Sequence, residues 1–222
     1  MVAPEWKVSG VAKGDSRGGL WGMIRAERAA LADELAGLSD EQWAQPSLCG
    51  EWTVEEVVAH LTAGASNSRI RWLGSVVRAR FDFEAHNARQ LTECRGATPA
   101  ETLRRFRAII DSTVAPSGQT AAWLGEVVVH GQDIRYVLGL PGKPAIEAVT
   151  AVAEFFASRD YAVASRSAIA GLRVEASDGS FATGGGPLVG GITVALVMAM
   201  AGRSVYCDEL TGPGVPILRG RL

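Results

Sequence analysis

Glu126 and His130 lie four residues apart in a stretch whose apolar residues have helical spacing, so the two side chains share one helix face. A third polar residue, His60, lies within a separate predicted helix. His, Glu and His form the ligand set of open catalytic zinc sites, in which a fourth position remains for water or substrate. The chain can build such a site only in a fold that brings two helices face to face.

The Glu-x-x-x-His pair is weak evidence by itself, because the same spacing is common in helices with a purely structural role. Valine and other apolar residues surround His60 and His130, and an unpaired imidazole or carboxylate in such surroundings is costly. Three polar residues in one core favour a shared metal ion. Satisfaction by hydrogen bonds alone, without any metal, is the alternative.

Three further charged residues are candidates for the same site. Asp133, three residues after His130, can accept a hydrogen bond from the imidazole and orient it, or it can pair with Arg135 at the surface. Arg203 and Arg219 can each hold a substrate carboxylate in a two-point clamp. Simple exposure is the alternative for both arginines.

The remaining histidine and the cysteines carry less information. His86 lies among polar residues, which favours a solvated helix face over a metal ligand. Cys49, Cys94 and Cys207 are widely spaced and odd in number, which argues against a disulfide framework and a thiolate zinc cluster. Burial is the simplest expectation for all three, although Cys49 directly precedes the His60 helix and can approach a substrate.

Composition excludes several classes of partner. The chain has 222 residues, 47% of them hydrophobic and 21% charged, and a formal net charge of −2. This charge, without a basic stripe, argues against nucleic acid. The N-terminus lacks the pattern of a signal peptide, and the longest apolar run is shorter than the ~20 residues that cross a bilayer. We expect a cytoplasmic monomer or homodimer that contacts no membrane.

Helical patterns dominate the first three quarters of the chain. A loose arm is predicted over 1–17, and a capping box of Thr53 with Glu56 predicts the start of the His60 helix. Thr98 followed by Pro99 is a second helix start. The predicted helices span about 18–38, 54–79, 82–94, 99–110, 120–138 and 145–162.

The pattern changes after residue 171. Alternation over 172–176 predicts a strand, 193–201 is an apolar helix, and 204–210 is interpreted as another strand. The predicted fold class is therefore mainly α. A helical bundle over 18–165 is followed by a small α+β domain over 166–222.

Several motifs resemble the mycothiol-dependent maleylpyruvate isomerase family, whose N-terminal part is a DinB-like four-helix bundle. The motifs are Cys49-Gly50-Glu51-Trp52-Thr53-Val54 leading to His60-Leu61, then Glu126-x-x-x-His130-Gly131-Gln132-Asp133-Ile134-Arg135, and finally Ala201-Gly202-Arg203. The first two are specific in combination and weak separately. The resemblance extends over nearly the whole chain from about residue 20.

The resemblance implies a divalent metal, most simply zinc, held by His60, Glu126 and His130. It also implies mycothiol as a thiol cosubstrate, whose thiolate a metal favours, and a small electrophile as the second substrate. In the isomerase the thiolate adds to a cis double bond, the bond rotates, and elimination gives the trans product. Arg203 best matches the arginine that assists with the substrate carboxylate, and Asp133 is the second candidate catalytic residue.

The fold does not specify the reaction. Isomerisation and transfer of the thiol to an electrophile both fit the resemblance. A non-catalytic protein that binds or senses metal or thiol with the same bundle is the alternative.

Overall fold

The computed structural model describes residues 15–50, 52–66, 91–115 and 118–222. Within these ranges the protein is mainly helical, as predicted. The helices of the N-terminal part are α1 (Asp15–Leu35), α2 (Asp40–Trp43), α3 (Val54–Ser66), α4 (Pro99–Arg107), α5 (Thr120–Leu138), α6 (Ile146–Ser158) and α7 (Ser165–Ala168). Residues 91–94 are helical as well.

Three of the predicted helix start and stop signals are confirmed. The backbone N–H of Thr53 donates to Glu56 Oε2 at 2.8 Å, and the N–H of Glu56 donates to Thr53 Oγ1 at 3.3 Å. At the start of α4, Thr98 Oγ1 accepts a hydrogen bond from the N–H of Glu101 at 3.3 Å. Gly139 ends α5 in the left-handed conformation, at a φ of 61°.

Two predicted helix boundaries differ from the structure, and two predicted segments cannot be compared with it. Helix α1 begins at Asp15, inside the predicted arm, and α6 ends at Ser158, four residues before the predicted end. The predicted continuation of the His60 helix to residue 79 and most of the predicted helix 82–94 lie outside the described residues.

A small sheet follows the helices. Its strands are β1 (Arg173–Ala176), β2 (Ala182–Gly184) and β3 (Leu188–Gly191), in the order β2-β1-β3. Strand β1 is antiparallel to β2 and parallel to β3. Helix α8 (Thr193–Met200), a 3₁₀ helix over Ser204–Glu209 and helix α9 (Val215–Arg219) complete the chain.

The strand predicted over 204–210 is wrong, because this segment is the 3₁₀ helix. Tyr206 N donates to Arg203 O at 3.0 Å and Leu210 N donates to Cys207 O at 3.3 Å, the i to i+3 pattern of a 3₁₀ helix. Tyr206 and Cys207 are both buried. A half-buried strand would send neighbouring side chains to opposite faces.

One hydrophobic cluster connects the helical and the α+β parts. It contains Ile24, Leu124 and Val152 from the helices together with Val174, Val189 and Met198. The domain boundary near residue 165 stays a prediction.

No helix in the described ranges has the length and apolar character needed to span a membrane.

Candidate metal centre

The loop before α3 places Cys49 and Trp52 beside His60. Ser47 organises it: its hydroxyl donates to Trp52 O at 2.8 Å and accepts from Cys49 N at 3.0 Å. Cys49 and Trp52 are thereby fixed beside the first turn of α3. The ring of Trp52 lies 4.9 Å from that of His60, measured between centroids.

Helices α3 and α5 bring the three predicted metal ligands together. Glu126 Oε2 lies 3.3 Å from His60 Nε2 and 3.3 Å from His130 Nε2. One donor atom from each of the three residues lies within 4.8 Å of the others. Ligands of a tetrahedral zinc ion with ordinary bond lengths are about 3.4 Å apart, so this spacing fits a single ion.

Asp133 orients His130. Its Oδ2 lies 3.0 Å from His130 Nδ1, and the Asp133 side chain is fully buried. Because an ionised carboxylate only accepts hydrogen bonds, this contact keeps a proton on Nδ1. The lone pair of Nε2 is then the one available to a metal ion, the usual arrangement of a metal-bound histidine.

Arg203 in turn fixes Asp133. Its Nε donates to Asp133 Oδ1 at 2.9 Å, its Nη2 donates to Oδ2 at 2.6 Å, and its Nη1 donates to Ala201 O. The end of α8 positions Arg203, whose N–H donates to Met198 O at 3.0 Å while Gly202 N donates to Ala199 O at 2.9 Å. This pair of bonds is a Schellman motif, with Gly202 at a φ of 90°.

The charges of these residues reinforce one another. Burial raises the pKa of Glu126, but hydrogen bonds from His130 and His60 outweigh it, and the pKa lies far below its usual value. Burial lowers the pKa of His130, but its bonds to Asp133, Cys49 and Glu126 prevail and raise the pKa well above its usual value. Both shifts have the same cause, because each group favours the charged form of the other.

A cavity of about 230 Å³ opens beside the three ligands. Its lining includes His60, Glu126, His130, Cys49 and Arg203. The side chains of His60 and Glu126 are 27% and 30% exposed. The predicted apolar surroundings are thus only one side of the site, and a small molecule can reach the position a metal would occupy.

The donor set fits a divalent transition metal. Two imidazole nitrogens and one carboxylate oxygen on one side, with an open cavity on the other, are the features of a catalytic zinc site. A second group of donors, Cys49 with His130 and Asp133, also lies within 4.8 Å. Arg203 occupies both oxygens of Asp133, and its positive charge disfavours a cation in this second group.

Other sequence expectations have mixed outcomes. Arg219 pairs with Asp208 at 2.6 Å and is not among the described residues that line the cavity. Cys207 is buried, as expected, whereas Cys49 is only partly buried and lines the cavity. His86 lies outside the described residues.

The aromatic residues of the cavity were not predicted from the sequence. Phe155 and Phe156 from α6, and Tyr161 after it, line the cavity. The only signal was the Phe-Phe pair near the end of an apolar helix. This signal is weak, because apolar residues at helical spacing usually belong to a core.

The comparison with protein families confirms the resemblance inferred from the motifs. Residues 24–123 match the family model of the mycothiol maleylpyruvate isomerase N-terminal domain. This segment contains His60 but ends before Glu126. No curated protein matches the chain significantly in sequence.

Solved structures show the same fold over most of the chain. The crystal structure of the mycothiol-dependent maleylpyruvate isomerase is similar to it with a TM-score of 0.59 and 15% sequence identity, over 89% of this chain and 92% of that one. A histidine-to-alanine mutant of that enzyme gives the same values. At this identity the likeness shows the fold alone.

Proposed function

Since residues 24–123 carry the mycothiol maleylpyruvate isomerase N-terminal domain, we propose that the chain is a metal-dependent enzyme of thiol chemistry. Mycothiol is the proposed cosubstrate and a small electrophilic molecule the second substrate. The product arises by isomerisation, as in the isomerase, or by transfer of the thiol to the electrophile. The observation that carries the proposal is the convergence of His60, Glu126 and His130 beside an open cavity.

The residues of the chain have separate roles in this proposal. His60, Glu126 and His130 hold the divalent metal, most simply zinc, and Asp133 keeps the proton of His130 on Nδ1. Arg203 holds Asp133 in place and lines the cavity where the substrate binds. When bound, the metal supplies Lewis acidity, which favours the thiolate form of a coordinated thiol near neutral pH.

The contacts of Arg203 indicate a different role from the one that the resemblance implies. Three of its five N–H donors bind Asp133 and Ala201, so at most two remain for a substrate. We therefore assign Arg203 first to positioning. Contact with a substrate carboxylate is secondary.

The first experiment measures metal content in untagged protein purified without chelator, before and after zinc reconstitution. The proposal predicts about one metal ion per chain, and loss of this ion in His60→Ala, Glu126→Ala and His130→Ala. His86→Ala is the matched control and should retain the ion. A zinc content near zero in the unmodified protein after reconstitution would refute the metal site.

The second experiment tests turnover. Zinc-loaded protein is incubated with mycothiol and a panel of electrophiles, and consumption of thiol and formation of product are followed together. Tight binding of zinc and mycothiol without consumption of any electrophile would favour the alternative, a protein that binds or senses metal and thiol. Turnover that is equal in the three ligand variants would contradict metal-dependent catalysis.

A further inference from the structure

One wall of the cavity is apolar and aromatic. Phe155 and Phe156 come from the C-terminal end of α6, and Tyr161 and Val163 come from the segment that follows it. Ala122, Gly125 and Val129 of α5 line the cavity as well. This surface suits a flat apolar group, and it lies next to the metal ligands Glu126 and His130.

The aromatic wall is held in a fixed arrangement. The rings of Phe155 and Tyr161 meet edge to face with centroids 5.8 Å apart, and those of Phe155 and Phe156 are 6.2 Å apart. Buried Ser165 anchors the segment after α6 by donating to Phe156 O at 3.0 Å. Because Tyr161 is 49% exposed, a bound apolar molecule would cover surface that now faces water.

The described lining of the cavity offers little positive charge that is not already paired. Among its described lining residues, Arg203 is the one with a permanent positive charge, and Asp133 already neutralises it. A divalent ion and Arg203 would carry three positive charges, against two negative charges on Glu126 and Asp133. A thiolate would cancel the remaining positive charge, so a substrate with two carboxylates would find no unpaired cation among these residues.

A second, more polar cavity of about 380 Å³ adjoins the metal cavity. It shares Cys49 and Arg203 with the metal cavity and is further lined by Gly50, Gly202 and Ser204. The backbone and hydroxyl groups of these residues suit a hydrophilic molecule. A hydrophilic part of the thiol cosubstrate can occupy this second cavity, which leaves the aromatic wall to the electrophile.

We propose that the electrophile is uncharged and has an aromatic or similarly flat apolar body that packs against Phe155, Phe156 and Tyr161. These three residues would then determine specificity. This inference rests on the proposed function and narrows it, because it favours thiol transfer to an apolar electrophile over isomerisation of a dicarboxylate. Because the ring of Tyr161 is exposed, Tyr161 is the most suitable of the three residues for substitution.

The turnover test compares two substrates in the zinc-loaded protein with mycothiol. The first is 1-chloro-2,4-dinitrobenzene, on which the thiol forms a carbon–sulfur bond while chloride and a proton leave. The second is maleate, whose cis double bond becomes trans in fumarate with the thiol regenerated. We expect a kcat/KM for the aromatic chloride at least tenfold above that for maleate.

Two variants, each with a matched control, test whether the aromatic wall determines the substrate preference. Tyr161→Ser should raise KM for the aromatic chloride by about fivefold to tenfold, the range of one aromatic contact. Tyr136→Ser removes a comparably exposed ring outside the described cavity lining and should leave KM unchanged. Ala162→Arg adds a cation at an exposed position of the lining and should lower the preference for the aromatic substrate about fivefold, whereas Ala164→Arg, outside that lining, should not.

A binding measurement separates this inference from the proposed function. Calorimetry compares N-phenylsuccinimide with succinate, neither of which reacts with a thiol, in the protein with zinc and mycothiol and in the protein with neither. N-phenylsuccinimide binding that Tyr161→Ser weakens supports the aromatic wall, even if no electrophile is ever consumed. Equal or tighter binding of succinate in the protein with zinc and mycothiol, or no binding of N-phenylsuccinimide in either state, would overturn the inference.

Discussion

Arg203 and Asp133 form a two-point ion pair, from Nε to Oδ1 at 2.9 Å and from Nη2 to Oδ2 at 2.6 Å. Asp133 is fully buried and Arg203 is 16% exposed. The pair connects the segment after α8 with α5, which carries Glu126 and His130. The α+β part therefore contributes directly to the geometry of the proposed metal ligands.

Asp133→Asn tests the orientation of His130. The amide can no longer hold a proton on Nδ1 as a carboxylate does, and loss of such an outer partner typically weakens metal binding about 10–100-fold. We expect a zinc dissociation constant higher by this factor, measured in competition with a chelator of known affinity. Asp208→Asn, which breaks the exposed pair with Arg219, is the matched control and should leave zinc affinity unchanged.

Arg203→Lys tests the contribution of the ion pair to stability. Lysine keeps the charge but cannot make both bonds to Asp133. We expect the free energy of unfolding to fall by about 1–3 kcal/mol, measured by urea denaturation of the metal-free protein. Arg219→Lys at the exposed pair should change it by less than about 0.5 kcal/mol, and equal effects of the two substitutions would contradict a special role for Arg203.

The convergence of the three candidate ligands rests first on helix periodicity and capping, which are local properties that the sequence shows directly. The spacing of Glu126 and His130, and the capping box of Thr53 with Glu56, each lie within about one turn of helix. That α3 faces α5 depends on packing between distant segments, which no local pattern encodes. The family motifs, used together, supplied that information before the structure did.

The failed predictions also depend on packing between distant segments. The segment 204–210 resembles a strand in composition, but the contact of Arg203 with Asp133 and the burial of neighbouring Tyr206 and Cys207 favour a 3₁₀ helix. The two-point clamp of Arg203 was predicted for a substrate carboxylate. In the structure its main carboxylate partner is Asp133, about 70 residues away along the chain.

Glu27 provides a pH-dependent test of the fold. Burial raises the pKa of this carboxyl, while its bond from Ala145 N, at 2.8 Å and at the start of α6, partly opposes the shift. Because the folded state then holds the proton more tightly than the unfolded state, Glu27 stabilises the fold most at low pH. Its contribution declines as the pH rises from the pKa of the unfolded state, about 4.3, through the raised pKa of the folded state.

Glu27→Gln isolates this effect, since the amide oxygen can still accept the bond from Ala145 N. We expect the free energy of unfolding of the unmodified protein, relative to the variant, to decrease as the pH rises from about 4 to 7. Urea denaturation at several pH values measures the difference. A difference that increases with pH would show that Glu27 gains stability from its charged form.

Gly202→Ala tests how the end of α8 positions Arg203. A Cβ at this position meets no atom within 4 Å, but φ is 90°, a conformation that L-residues adopt at a cost of about 1–2 kcal/mol. We expect a loss of stability of this size. If the backbone instead changes its conformation to relieve the strain, Arg203 is displaced and zinc binding becomes weaker. Gly185→Ala is the control, because its Cβ is equally free and its φ is not positive. If both variants matched the unmodified protein in unfolding free energy and zinc affinity, the Schellman turn would not be needed to place Arg203.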